Sequence, residues 1–141
     1  MKIKLLFIAF FAFIGLNAQE ITDYDLQNFA RAYHQTMKIN GSAQKKMAEL
    51  IADEKLDLDV YHAIFESKNS AVEPDLPQEE YDKFERVQPE ILKLQQDLEQ
   101  DIVKMYGKFD LNPQKYRAIA ERVKQDYLLQ AKLEKMMATL R

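Results

Sequence analysis

Residues 84–109 read FERVQPEILKLQQDLEQDIVKMYGKF, with Phe84, Val87, Ile91, Leu94, Leu98, Ile102, Met105 and Phe109 recurring every three or four positions. At 3.6 residues per turn, that spacing gathers the apolar side chains on one stripe and leaves the charges on the other faces. A half-buried strand would need strict alternation, which is missing here. The segment is therefore an amphipathic helix of about seven turns. Its oily stripe needs a partner.

The partner is found by sliding the chain against itself. A shift of 55 positions lays 23–71 on 78–126 without a gap. Phe29 falls on Phe84, Leu56 on Leu111, Tyr61 on Tyr116 and Ile64 on Ile119. Arg31/Arg86, Lys38/Lys93, Ala63/Ala118 and Glu66/Glu121 are also identical. Apolar character is kept at Met37/Leu92, Ile39/Leu94, Met47/Ile102 and Leu50/Met105. The expectation is an internal repeat, with copy one at about 23–71 and copy two at about 78–126. The first stripe (Phe29, Ala32, Thr36, Ile39, Ala43, Met47, Leu50) has smaller side chains, so its helix should pack more loosely. Gly41 follows Asn40 in mid-stripe; a glycine there costs about 1 kcal/mol against alanine, which predicts a break or kink. Pro89 is the matching irregularity of copy two.

Each long helix is followed by a capping signal. Asp57 and Asn112 stand in the favoured N-cap slot, and Pro113 takes the first helical position, where no intrahelical acceptor is lost. Leu56 and Leu111 precede the caps, where an apolar staple belongs. The second helix should end near Lys68, and NSAVEPDLPQ (69–78) is the linker. The last helix is expected to run from Pro113 to the C-terminal end without a breaker. The predicted fold is all-α: two helical hairpins forming a four-helix bundle-like domain over 19–141.

In front of that domain, MKIKLLFIAFFAFIGLNA (1–18) has Lys2 and Lys4 before an apolar run, Leu5 to Leu16. The run is short of the roughly 18 residues that span a bilayer and has the layout of a secretory signal peptide, cleaved after Ala18. Export to the periplasm or beyond is the expected localisation. The exported chain would carry 18 basic and 23 acidic residues. It has no cysteine, so packing alone must hold it.

The stretch ITDYDLQNFARAY, followed by LDLDVYHAI, resembles the family of exported bacterial proteins catalogued as domain of unknown function 4168. Thr22, Asp23, Leu26, Phe29, Ala30 and Ala32 carry the first part of the resemblance. Leu56, Tyr61 and Ile64 carry the second, repeated by Leu111, Tyr116 and Ile119. Copy two departs where Glu85 replaces Ala30. The resemblance implies a small helical exported domain and assigns it no activity.

The chemistry-bearing residues are sparse. His34 and His62 are the only histidines. Asp59 and His62 share a helix face, but a bundle di-metal site needs two such pairs and further inward carboxylates. Haem would have to bind noncovalently without cysteine, and Met47, Met105, Met136 and Met137 read as core filler. No Gly-x-Ser-x-Gly elbow or phosphate-binding glycine loop occurs, and Glu79 and Glu80 are adjacent and point differently. The expectation is no enzyme, no cofactor and no metal, with Phe29, Leu56, Tyr61, Ile64, Phe84, Leu111, Tyr116 and Ile119 as structural repeat positions. Residues 113–141 carry seven basic and three acidic groups on an otherwise acidic chain. That segment suits docking on the acidic body, or contact of YLLQAKLEKMMATLR with a membrane surface or partner. An acidic exported domain is not a nucleic-acid binder. The expected role is a binding module for an envelope protein or peptide, chaperone-like in one version. The alternative is a small-ligand carrier with a cavity near Gly41 and Pro89.

Overall fold

The computed structural model describes residues 20–140, so the expected signal peptide lies outside the described residues. Five helices follow in order: α1 Asp23–Asp53, α2 Leu58–Ser67, α3 Gln78–Gly107, α4 Pro113–Gln125 and α5 Tyr127–Ala138. The domain is all-α and bundle-like, with no strand among the described residues.

The local signals act as their chemistry requires. Thr22 and Asp25 form a capping box at the start of α1. Asp57 caps α2 by accepting from the Asp59 and Val60 amides, and Asn112 caps α4 by accepting from Lys115 N at 2.8 Å. Each cap is worth about 1 kcal/mol. The chain leaves α1 through Lys55 at φ 55° and α3 through Asp110 at φ 53°. These are the two non-glycine residues with positive φ among the described residues, and they stand 55 positions apart. In both turns the next amide bonds back five residues, Leu56 to Ile51 O at 3.2 Å and Leu111 to Tyr106 O at 3.1 Å. That six-to-one bond is the mark of a Schellman stop, and it buries the leucine beneath the helix end.

The core comes in two clusters. One joins Leu26, Phe29 and Ala32 at the start of α1 to Met105, Tyr106, Leu111, Ile119 and Val123 around the end of α3 and α4. The other joins Ile51, Leu56, Tyr61 and Ile64 around the end of α1 and α2 to Phe84, Val87 and Ile91 at the start of α3. The start of α1 thus meets the end of α3 and the reverse, so the two long helices run antiparallel. Phe29 lies 4.7 Å from Tyr116, ring to ring, and Phe84 lies 5.2 Å from Tyr61. Each hairpin supplies the aromatic that covers the other's tyrosine.

Two expectations are corrected. The α1 helix continues through Asn40-Gly41, because tertiary burial at both of its ends outweighs one weak propensity. Pro89 lies inside α3 and does not start a new helix. The last helix is not continuous: Asp126, at φ −122° and ψ 106°, ends α4 and caps α5 by accepting from Leu128 N at 2.9 Å and Leu129 N at 3.2 Å. This break yields a fifth helix. It also turns Leu129, Leu133 and Met136 back onto the first cluster, which a straight helix could not do. Lys132 meets Asp23 at 2.9 Å and Lys115 meets Asp25 at 2.6 Å, so the basic C-terminal segment is tied to the acidic first turn of α1.

A lysine in the left-handed region is strained by about 1 kcal/mol, and glycine is not. Lys55→Gly should therefore raise stability by no more than about 0.5 kcal/mol in urea unfolding, after glycine's greater unfolded entropy is set against the relief. Asp126→Ala should lower it by about 1 kcal/mol, with the loss read from the same transition.

Candidate functional site

Both long helices are well buried at their ends and half-open between. Over the middle, Asn40, Ala43, Gln44 and Met47 of α1 face Leu94, Gln95 and Leu98 of α3 across a shallow groove. No charged side chain lines it, although 30% of the chain is charged. Its floor is aliphatic, with the amides of Asn40, Gln44 and Gln95 beside it. The cavity within it is about 40 Å³. Asn40 Oδ1 is buried there without a hydrogen-bond partner, an acceptor left unused. Elsewhere on the two long helices, Met37 is 56% and Leu92 48% exposed.

A second hollow, of about 280 Å³, lies at the linker between Ser67, Lys68, Glu73, Gln78, Tyr81 and Glu85. Its polar groups are largely engaged. Lys68 pairs with Glu85 at 2.7 Å, and the Tyr81 hydroxyl donates to Pro74 O at 2.6 Å, pinning the linker to α3.

Of the repeat positions singled out in the sequence, Phe29, Leu56, Tyr61, Ile64, Phe84, Leu111 and Ile119 are buried and Tyr116 is half-buried. All are core residues; none lines the groove. His34 and His62 are far apart in the chain and only half-buried, and the His62 ring stands edge-on to Tyr61 at 5.7 Å. Among the described residues no group of three or more His, Asp or Glu is placed to hold a metal. Glu79 and Glu80 both bind Lys83, at 3.2 and 2.8 Å. Loose packing near Gly41 was an expectation of the sequence, but the lining was not, because stripe analysis treats every apolar position as core. The small Ala43 and Gly41 in mid-helix were the available signal.

The perturbed groups are structural. Burial pushes the Tyr61 phenol up to about 12, while its hydroxyl donates to Gln88 Oε1 at 2.9 Å. Burial likewise raises Tyr116 and Tyr106, which stack at 4.4 Å. Hydrogen bonds from Lys115 and from Thr22 hold the Asp25 carboxyl below its usual range. On α5, the apolar residues Leu129, Leu133 and Met136 pack on the core, leaving Tyr127 (80% exposed) and Leu128 (73%) at the corner with α4. No helix among the described residues is long and apolar enough to cross a membrane.

Fold and groove together define a small helical bundle-like domain with an open, uncharged seam between its two long helices. Residues 22–133 match the family described as Domain of unknown function (DUF4168), and the chain belongs to that family. No curated protein and no solved structure matches it.

A carboxyl with a depressed native pKa adds stability above its unfolded value, near 3.8, and loses that contribution as pH falls through the native value. Asp25→Asn should therefore destabilise the domain at neutral pH and weaken its further loss of stability on acidification below about pH 4. Urea midpoints measured across that range check both.

Proposed function

We propose that this protein is an exported, non-enzymatic binding module of the cell envelope that holds apolar segments of other polypeptides, in the manner of a chaperone. The groove between α1 and α3 carries the reading. It is an exposed apolar seam with no charge in its lining, and it includes the flexible Met47, Leu94 and Leu98 side chains, of the kind that adapt to varied partners. Export is supported by residues 1–18, whose positive start and short apolar run suit a cleaved leader.

The volume at the seam argues against a small-ligand carrier with its cavity near Gly41. A site that engulfs such a molecule measures about 300–1,000 Å³, whereas about 40 Å³ holds little more than water. Contact with a membrane surface falls, in this reading, to the Tyr127–Leu128 corner, since the rest of the α5 stripe is spent on the core.

The helical domain should delay the aggregation of a thermally unfolding client protein, followed by light scattering. Ala43→Glu, which puts a charge in the seam, should abolish the delay while leaving the helical circular dichroism unchanged. Failure of the wild type to delay aggregation, together with recovery of no envelope protein in a pull-down, would end the reading.

A further inference from the structure

Helix α5 is held more lightly than the others. It alone among the described helices has no buried residue. Leu129, Leu133 and Met136 are only half-buried on the first cluster, and the Lys132–Asp23 pair beside them is exposed. A single residue, Asp126, separates α5 from α4.

The local sequence across that corner favours a straight helix. Residues 114–141 contain neither glycine nor proline, and an interior aspartate is only mildly unfavourable. The break leaves carbonyls at the end of α4 and amides at the start of α5 without intrahelical partners. Asp126 accepts from two of those amides, and Gln130 Nε2 donates to Lys124 O at 3.1 Å. A continuous helix would satisfy such groups with its own backbone. The side chains agree. Tyr116, Ile119 and Val123 pack on the first cluster at helical spacing, and Tyr127, four residues on, continues their stripe. In the bent chain Tyr127 is instead 80% exposed, with Leu128 beside it at 73%. Local preference and tertiary docking therefore disagree at one residue.

Within one chain the bend wins, because straightening would carry Leu129, Leu133 and Met136 off the core. A second copy removes that obstacle. We propose that two copies of this chain exchange α5: in each, α4 and α5 join into one helix, and each α5 docks on the start of the other copy's α1. The contacts are those of the monomer, made between chains, so the remaining cost is that of association, which concentration offsets. The two straightened helices pass each other at the former corner. There Tyr127 and Leu128 of one copy lie beside the same residues of the other, which gives the exposed pair a cover. A one-residue hinge suits such exchange, since it cannot relax the conflict by itself. The exchange does not depend on the groove between α1 and α3. It competes with membrane contact for the same two residues.

The ion pairs supply the test. Normal and heavy-nitrogen protein are mixed, concentrated and warmed, then treated with a carbodiimide, which joins an amine to a carboxylate paired with it. Dimer and monomer are separated by size, and the joined peptides are weighed. In the dimer, the Lys132–Asp23 link is expected to join light chains to heavy ones, while the Lys115–Asp25 link, which lies ahead of the hinge, stays within one chain. Asp126→Ala removes the cap from both monomers and should raise the association constant about 25-fold, about five-fold for each cap. Tyr127→Pro should abolish the dimer and leave the helical circular dichroism of the monomer intact. Proline suits the first position of α5, and Asp126, at φ −122° and ψ 106°, is already extended as a residue before proline prefers. Inside a straight helix the same proline would be strongly disfavoured. A dimer in which both links stay within one chain overturns the exchange. So does a wild type that remains monomeric, together with Asp126→Ala, at every concentration.

Discussion

Phe29 rests on Tyr116, and Phe84 rests on Tyr61. Each contact joins one hairpin to the other, and the rest of the structure depends on that. Neither hairpin has a core of its own: the second cluster needs Phe84, Val87 and Ile91 from α3, and the first needs Leu26, Phe29 and Ala32 from α1. Burying a phenylalanine or leucine contributes about 1.5–3 kcal/mol. A lone hairpin would forgo several such contributions while still fixing its backbone. The two halves are therefore held as one cooperative unit without a disulfide.

The same clasp explains where the molecule is open. Burial concentrates at the two ends of the long helices, because the short helices α2 and α4 sit there and bring Tyr61, Ile64, Ile119 and Val123. No short helix supplies a matching cluster at mid-length, and the side chains of α1 are small there. The seam left behind is apolar because it continues the core stripes, and uncharged because the charges lie on the outer faces. A groove at this point is a direct consequence of clamping two long helices only at their ends.

The third feature is the turn at Asp126. A helix continued straight from α4 would carry Leu129, Leu133 and Met136 away from the body. One aspartate, accepting two amide hydrogens, redirects them onto the first cluster, and the Lys132–Asp23 pair sits across the resulting contact. Exposed ion pairs of this kind contribute little energy. Their effect is on orientation, matching the basic C-terminal segment to the acidic start of α1.

Helix type, most helix ends and the eight core positions could be read in the sequence, because they follow from periodicity and from side chains that bond to their own backbone within a few residues. Asp57, Asn112 and Pro113 act locally, and local chemistry is written in local order. The continuity of α1 through Gly41 was not legible, since propensity there is overruled by burial many residues away. Nor was the break at Asp126: an aspartate is a plausible surface residue until Leu129 and Leu133 have somewhere to dock. Loose packing near Gly41 was legible, but the extent of the groove was not. Whether Ala43, Met47 and Leu98 are covered depends on how far the short helices reach along the long ones, and only the packed molecule sets that distance.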